Sequence, residues 1–263
     1  MTDVLHELVH NAEKLVKAGY YKDGGLPASR RRPASLSHAL KAHPSFPIIA
    51  EVKLSSPLRR GLSGHAAAEL IRHYVEGGAA ALSVLTEPYF FEGALDNLRI
   101  ASATGLPVLM KDIIVREKQM DAGARRGAGA VLLIERAFSY EVAKLGRDSM
   151  IEKAHSRGLE VLLEVADEEE MRHALETRAD VIGINQRDLT TLQVDSGKGV
   201  RMLGRFRPST EVPIIVMSGI ESRAQVEELR DQGADGVLIG TSLSSQPEPT
   251  EALRALEVPR WSG

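Results

Sequence analysis

Eight short apolar segments recur along the chain, and helical patterns such as SRAQVEELRDQGA lie between them. The segments read FPIIAEVK, AALSVLT, LPVLMKD, GAVLLI, EVLLEV, DVIGINQRD, VPIIVMSG and DGVLIG. Each has the length of a buried strand, and strands that are apolar almost throughout are covered on both faces. Strands that alternate with helices form parallel sheets through right-handed crossovers. Eight such units in a chain of 263 residues predict a single (βα)8 barrel.

A doubly wound open sheet is the alternative fold, but no G-x-G-x-x-G turn follows the first strand segment to support it. We therefore predict one domain over residues 1–263, in which residues 1–45 form a helical extension before the barrel. Apolar residues in this extension recur on one helical face, at Val4, Leu5, Leu8, Val9, Ala12, Leu15 and Val16. This pattern predicts an amphipathic helix that lies on the barrel.

The composition argues against several classes of protein. The net charge is −3 and the pI about 6.3, which gives no reason to expect nucleic acid as a partner. The absence of cysteine excludes disulfides, thiolate zinc sites and cysteine nucleophiles. The eight histidines are scattered and form no H-E-x-x-H motif, so no metal is expected. The N-terminus does not resemble a signal peptide and no segment is long enough to cross a membrane, so we predict a cytoplasmic protein without a membrane partner.

Polar residues stand where several of the predicted strands end. They are Glu51 and Lys53, Lys111, Glu164, Asn185 and Arg187, Ser218 and Gly219, and Gly240 and Thr241. Residues two apart on a strand point to one face, and the active sites of barrel enzymes lie at the C-terminal ends of the strands. A surface ion pair would explain Glu51 and Lys53 taken alone. Because similar groups end most of the strands, convergence on one barrel mouth is the better interpretation.

The last two strands carry an additional signal. Small-residue turns follow them in MSGIES and IGTSLSS, and the loops after the seventh and eighth strands of such barrels often bind phosphate. Main-chain N–H groups in turns of this kind bind a phosphate dianion. The sequence therefore predicts a phosphorylated small-molecule ligand.

The chain resembles the indole-3-glycerol phosphate synthase family of tryptophan biosynthesis from about residue 35 to residue 256. The resemblance is carried by IIAEVKLSSP, ALSVLTEPYFFEGALDNLR, LPVLMKDIIV, VLLEVADEEEM, IGINQRDLTTLQVD and VLIGTSL. It implies a carboxy-lyase that converts 1-(2-carboxyphenylamino)-1-deoxyribulose 5-phosphate into indole-3-glycerol phosphate, carbon dioxide and water. No metal or organic cofactor is implied.

The resemblance also implies roles for individual residues. Lys111 matches the general acid, Glu164 the base, and Lys53 a lysine that contacts phosphate and donates a proton. Glu51 and Asn185 would hold the lysine and the substrate hydroxyls. The implied substrate-binding positions are Arg187 and Ser56 for the aromatic carboxylate, Pro57 and Phe91 for apolar walls, and Gly219, Gly240 and Thr241, with Lys53, for phosphate. Ser218, in the same turn as Gly219, is a further predicted substrate-binding residue. A crowded mouth of lysines and glutamates can separate their pKa values into acid and base.

Three positions depart from the family pattern: Leu58 replaces a serine, Ile113 a phenylalanine and Met217 a glutamate. These departures leave open a diverged paralogue that acts on a related anilino or sugar-phosphate substrate, and a non-catalytic barrel that binds a sugar phosphate. A phosphoribosylanthranilate isomerase is disfavoured because the chain lacks cysteine, and a Schiff-base aldolase that uses Lys111 or Lys53 is a further alternative. We expect a monomer or a weak homodimer.

Overall fold

The computed structural model describes residues 3–22, 32–140 and 145–260. Eight parallel strands form a closed barrel in chain order, and the first strand pairs with both the second and the eighth. The strands are β1 (Ile48–Val52), β2 (Ala81–Leu85), β3 (Val108–Lys111), β4 (Ala130–Ile134), β5 (Glu160–Val165), β6 (Val181–Asn185), β7 (Ile214–Met217) and β8 (Gly236–Ile239). The predicted (βα)8 barrel is confirmed, and the pairing of β1 with β8 excludes the open sheet.

Two helices precede the barrel, α1 (Val4–Ala18) and α2 (Leu36–Ala42). The others are α3 (Ala67–Glu76), α4 (Asp96–Ala103), α5 (Glu117–Arg125), α6 (Arg147–His155), α7 (Glu168–Leu175), α8 (Lys198–Phe206), α9 (Arg223–Asp231), α10 (Thr241–Ser244) and α11 (Pro249–Leu256). Short 3-10 helices span Glu135–Ser139 and Arg207–Ser209. The predicted N-terminal helix is confirmed: α1 buries its apolar face and ends at Gly19, whose φ of +83° suits glycine.

The strands divide their side chains between the barrel interior and the surrounding helices. Ile49 and Leu109 belong to the interior apolar cluster, whereas Ala50 belongs to the layer between strands and helices. Two positions further along the same strands come Glu51 and Lys111, which therefore also point inward. The interior is thus apolar at its centre and charged at the C-terminal ends of the strands.

Helix α2 covers the N-terminal end of the barrel. Glu160, at the start of β5, accepts hydrogen bonds from the main-chain N–H groups of Leu36 (2.6 Å) and Ser37 (3.1 Å) at the first turn of α2. Leu40 of α2 lies so close to Gly236 of β8 that a Cβ there would be 3.0 Å from its Cδ2 atom. The carboxylate satisfies helix N–H groups that have no intrahelical acceptor.

Helix α1 lies over the opposite, C-terminal end. Its Asn11 donates a 2.8 Å hydrogen bond to the carboxylate of Glu87, which follows β2. Tyr140, beyond β4, donates to Asp3 at the start of the helix. Leu8 of α1 lines the cavity at this end. The segment before β1 therefore contributes to both ends of the barrel.

Candidate active site

A cavity of about 410 Å³ opens at the C-terminal ends of the strands. Twelve of the thirteen residues that the sequence places in the site line it: Glu51, Lys53, Ser56, Pro57, Phe91, Lys111, Asn185, Arg187, Ser218, Gly219, Gly240 and Thr241. Glu164 is not part of the lining. The barrel thus brings together groups that are up to about 190 positions apart in the chain, as the ladder of strands dictates.

The carboxylate of Glu51 lies between two lysines. Its Oε1 atom is 3.3 Å from Nζ of Lys53, and its Oε2 atom is 3.3 Å from Nζ of Lys111. Glu51 is 3% exposed, so solvent screens these two ion pairs far less than it would at the surface. A Cβ at Gly240 would collide with Oε1 of Glu51, so the glycine at the end of β8 leaves the space that the carboxylate occupies.

The three charged groups have pKa values displaced in different directions. Burial favours the neutral form of Glu51, but Lys111 and Lys53 outweigh it and hold the pKa of this carboxyl below its usual range. Burial also opposes the charge of Lys111, yet Glu51 and Glu164 outweigh it and raise the pKa of that lysine. For Lys53 burial prevails, and its pKa is lowered. The two lysines therefore differ as acids, because burial and the neighbouring carboxylates affect their pKa values in different proportions.

Glu164 lies beside this cluster, within the barrel. It is 3% exposed and accepts a 2.7 Å hydrogen bond from Nδ2 of Asn185. Burial raises its pKa, against the opposing effects of Lys111 and Asn185. A carboxyl with a raised pKa and an ammonium neighbour is a stronger base than an ordinary carboxylate and is suited to accept a proton.

Arg187 occupies the wall of the cavity beyond the end of β6. Its main-chain N–H donates to Oδ1 of Asn185 at 2.9 Å, and its Nη1 atom donates to the carbonyl of Leu192 at 2.7 Å. No carboxylate in the described parts of the chain lies within ion-pair distance of its guanidinium. Burial lowers its pKa, as expected for a cation without a direct partner. The guanidinium can therefore receive an anionic group of a ligand.

The loop after β7 has an unusual backbone conformation. Ser218 and Gly219 both have φ of +70°, a region that residues with a side chain rarely adopt. A Cβ at Gly219 would collide with Val194, so only glycine fits there. After the neighbouring strand β8, Thr241 begins the short helix α10, whose first N–H groups have no intrahelical acceptor.

The three departures from the family pattern have different surroundings. Met217 is 1% exposed at the end of β7, and its Cε atom fills the space beside Gly183, where a Cβ would be 2.5 Å away. Ile113 is buried after β3, whereas Leu58 is exposed at the edge of the cavity. The methionine is thus packed inside the barrel and borders the cavity.

Asp112 forms a buried polar cluster next to Lys111. Its Oδ2 atom accepts hydrogen bonds from Tyr21 (3.0 Å) and Thr86 (2.5 Å), and its Oδ1 atom accepts from the N–H of Ile113 (2.7 Å). Burial raises the pKa of Asp112 to about 6, although these hydrogen bonds oppose the shift. Tyr21 follows α1, so the cluster ties the N-terminal segment to the end of β3.

Replacement of Asp112 by asparagine is expected to remove a pH dependence of stability. A pKa that is raised on folding means that the folded state binds more protons than the unfolded state between pH about 4 and about 6, so stability falls as pH rises through this window. The asparagine variant cannot titrate there. Free energies of unfolding in urea at pH 4, 5, 6 and 7 should show wild type losing stability relative to Asp112→Asn. Parallel curves for the two proteins would contradict the assignment.

Several residues that contribute to the site have no distinguishing signal in the sequence. Leu8 reaches the cavity from α1, and Leu189, Leu192 and Val194 reach it from the loop after β6. The apolar face of α1 is evident in the sequence, but the part of the barrel that it covers is not. Gln186, between Asn185 and Arg187, also belongs to this group.

The described residues offer neither a metal site nor a membrane span. In residues 3–22, 32–140 and 145–260, no group of three or more histidine, aspartate or glutamate side chains could hold a metal ion. The helices described in these ranges include none that combines the length and hydropathy needed to cross a bilayer.

Solved structures that resemble this chain share its fold. Tryptophan synthase from M. tuberculosis, in its open form with BRD0059 bound, superposes with a TM-score of 0.62 at 16% identity and covers 85% of this chain and 97% of its own. The N-acetylmannosamine-6-phosphate 2-epimerase from Clostridium perfringens superposes with a TM-score of 0.62 at 13% identity and covers 85% and 96%. At such identities the likeness concerns the barrel architecture alone.

Sequence comparison is more specific. The family model for indole-3-glycerol phosphate synthase matches residues 8–256. The indole-3-glycerol phosphate synthase of Methanopyrus kandleri is 39% identical over 226 residues, which cover 84% of this chain and 86% of that protein. The enzyme of the same name from Halobacterium salinarum is 40% identical over 223 residues and covers 84% of both chains. With the barrel and its charged mouth, these matches establish that the chain belongs to the indole-3-glycerol phosphate synthase family.

Proposed function

We propose that the chain catalyses the indole-3-glycerol phosphate synthase reaction, a ring closure with loss of carbon dioxide and water. The observation that carries this proposal is the Glu51 carboxylate held between Lys53 and Lys111 in the barrel mouth. The reaction needs one proton donor at the ketone oxygen and another at the departing hydroxyl. The two lysines can supply these protons, and their pKa values are displaced in opposite directions. The substrate is 1-(2-carboxyphenylamino)-1-deoxyribulose 5-phosphate, and the product serves tryptophan biosynthesis.

The ends of the substrate match the two sides of the cavity. Its phosphate fits the turns after β7 and β8, where Gly219 and Thr241 offer main-chain N–H groups. Its aromatic carboxylate fits the guanidinium of Arg187, because a planar fork of donors can bind a carboxylate in bidentate fashion. Ser56 and Phe91 lie in the same lining and would contact the carboxylate and the aromatic ring. The reacting carbons then lie near the lysines.

The first step is assigned to Lys111. As the ring carbon that bears the carboxylate attacks the ketone carbon, a carbon–carbon bond forms and the ketone oxygen takes a proton from the Lys111 ammonium. This ammonium is kept charged by Glu51 and Glu164. Loss of carbon dioxide then restores the aromatic ring.

The second step removes the new hydroxyl as water. The hydroxyl needs a proton, and Lys53 can supply it because burial has lowered its pKa. The neighbouring carbon in the new ring must lose a proton to a base as the double bond forms. This role is assigned to Glu164, whose pKa burial raises. Asn185 donates to Glu164 and thereby orients its carboxylate.

The proposal is tested by incubating the protein with the anthranilate-derived substrate and following the indole fluorescence of the product. Turnover with release of carbon dioxide supports the synthase. Tight binding of indole-3-glycerol phosphate without turnover would instead indicate a sugar-phosphate-binding barrel. Borohydride treatment with a ketose phosphate should leave no adduct on Lys53 or Lys111, since a trapped adduct would indicate Schiff-base chemistry.

The replacement Arg187→Ala is expected to weaken substrate binding by roughly 10-fold to 150-fold, since a hydrogen bond to a charged group contributes about 1.5–3 kcal/mol. The loss should be smaller for an analogue without the aromatic carboxylate. Dissociation constants for both ligands measure the effect, with Arg201→Ala as the control, because Arg201 is exposed and pairs with Asp195. Equal losses for the two ligands would contradict the assignment of Arg187 to the carboxylate.

We also propose that the protein works in the cytoplasm, because the proposed substrate and product are phosphorylated intermediates of amino-acid biosynthesis. Fractionation of cells that express the protein at its native level tests this placement.

A further inference from the structure

Gln186 is a buried polar residue between two residues of the site. It follows β6, lies between Asn185 and Arg187 in the chain, and is 2% exposed. Its side chain points away from the cavity that Asn185 and Arg187 line and toward the helix layer, where it contacts Gly199 of α8. A buried amide there requires partners, because an unpaired one costs free energy.

Both ends of the Gln186 side chain are hydrogen-bonded to main chain. Nε2 donates to the carbonyl of Ser218 at 2.8 Å, and Oε1 accepts from the N–H of Gly199 at 3.2 Å. Gly199 is the second residue of α8, where N–H groups have no intrahelical acceptor. One side chain therefore connects β6, the turn after β7 and the start of α8.

The bond to Ser218 determines how the turn presents its N–H groups. A trans peptide is planar, so its C=O and N–H point in opposite directions. The carbonyl of Ser218 is directed at Gln186, outside the strand ring, and the N–H of Gly219 in the same peptide is therefore directed to the cavity side. The φ of +70° at Ser218 is unfavourable for a residue with a side chain. The hydrogen bond from Gln186 to the Ser218 carbonyl therefore stabilises a backbone conformation that the chain would otherwise avoid.

We infer that Gln186 is a positioning residue of the phosphate site: its side-chain amide holds the Ser218–Gly219 peptide with the N–H facing the ligand. The inference rests on the proposed phosphate site at this turn. Gln186 itself does not touch the ligand. Its contribution is the orientation of one main-chain donor, and a different conformer of this peptide would leave the phosphate without that contact.

Two variants separate this role from simple packing. Gln186→Glu keeps the size and the acceptor for Gly199, but it loses the donor and places an anion against the Ser218 carbonyl. Gln186→Met keeps the approximate length and loses both bonds. Inorganic sulfate serves as a probe because it stays a dianion across the pH range. We expect its inhibition constant against the substrate to rise at least about tenfold in both variants, because a misdirected Gly219 N–H no longer donates a hydrogen bond to the charged ligand. We also expect KM to rise more than kcat falls.

A pH series gives a readout that packing alone would not change. A protonated glutamic acid at position 186 can again donate to Ser218, and burial raises the pKa of such a group. The sulfate inhibition constant of Gln186→Glu, divided by that of wild type, should therefore decrease toward one as pH falls from 8 to 5.5. The same ratio for Gln186→Met should stay constant.

Gln119 provides a matched control. It is also buried, donates to the carbonyl of Ile113 at 2.8 Å and accepts from the N–H of Val115 at 2.8 Å, at the end of β3. Gln119→Glu should lower the melting temperature by a similar amount and leave the sulfate inhibition constant unchanged. If Gln186→Glu does not fold, the sulfate inhibition constant, KM and kcat of Gln186→Met test the inference.

The sulfate measurements test the positioning role of Gln186 separately from the proposed phosphate site. If sulfate inhibits wild type and the inhibition constants of the Gln186 variants agree with that of wild type within about twofold, the positioning role is overturned and the phosphate site remains. No sulfate inhibition of wild type would overturn the phosphate site itself, and the positioning role with it.

Discussion

Replacement of Lys111 by alanine is expected to lower kcat by about 10²–10⁴-fold, the usual contribution of a positioned general acid. Lys111 faces the cavity, and its Nζ atom is 3.3 Å from the carboxylate of Glu51. Lys53 is the other ammonium beside this carboxylate, and its lowered pKa makes it a different acid, so it should not substitute fully. The affinity for indole-3-glycerol phosphate should change little, because the phosphate of this product is bound elsewhere in the cavity, at the turns after β7 and β8.

The measurements for Lys111→Ala are kcat from a continuous fluorescence assay and the dissociation constant of the product. Lys153→Ala is the control, since Lys153 is an exposed lysine that pairs with Glu117 at 3.7 Å. Retention of more than about half of the wild-type kcat by Lys111→Ala would end its assignment as the general acid.

Replacement of Glu51 by glutamine is expected to change the pH profile as well as the rate. Glutamine fits the space beside Gly240, but it removes the charge that raises the pKa of Lys111 and opposes the lowering of the pKa of Lys53. Both lysines should then lose their protons at lower pH. We expect kcat at pH 7.5 to fall by about 10²–10³-fold, as for loss of a preorganised electrostatic group, and the alkaline limb of the kcat profile to move to lower pH.

A full pH profile of kcat decides between two roles for Glu51. A profile of unchanged shape with only a lower maximum would show that Glu51 does not set the charges of the lysines. Glu227→Gln is the control, because Glu227 forms an exposed pair with Arg223 on α9. Its profile should coincide with that of wild type.

The surroundings of Met217 are set by Gly183 on the adjacent strand, since β6 pairs directly with β7. A side chain at Gly183 would collide with the methionine, whose Cε atom lies in the space that the glycine leaves free. Leu162 also lies near Gly183, so this layer of the interior is apolar. A carboxylate in the same rotamer would be buried against the apolar atoms of that layer, which is costly. Methionine at this position is therefore consistent with the packing of this barrel.

Much of the fold follows from patterns that are local in the chain. Eight apolar segments separated by helical patterns identify the barrel, because strand length and burial on two faces leave a signature within each segment. The same patterns locate the strand ends, and thus Glu51, Lys111 and Arg187 in the cavity. The period of two along a strand is sufficient by itself to place Glu51 and Lys53 on one face.

The tertiary structure decides how those residues act on one another. Glu51 meets Lys111 only because β1, β2 and β3 are adjacent in the barrel, and that contact raises the pKa of Lys111. Burial in the same mouth lowers the pKa of Lys53, although Glu51 opposes the shift. Closure also places Glu164 beside the cavity and not in its lining. The bond from Gln186 to Ser218 joins residues 32 positions apart. Spacing along the chain carries no information on such distances, since pKa values and buried hydrogen bonds depend on which atoms packing brings within a few ångströms.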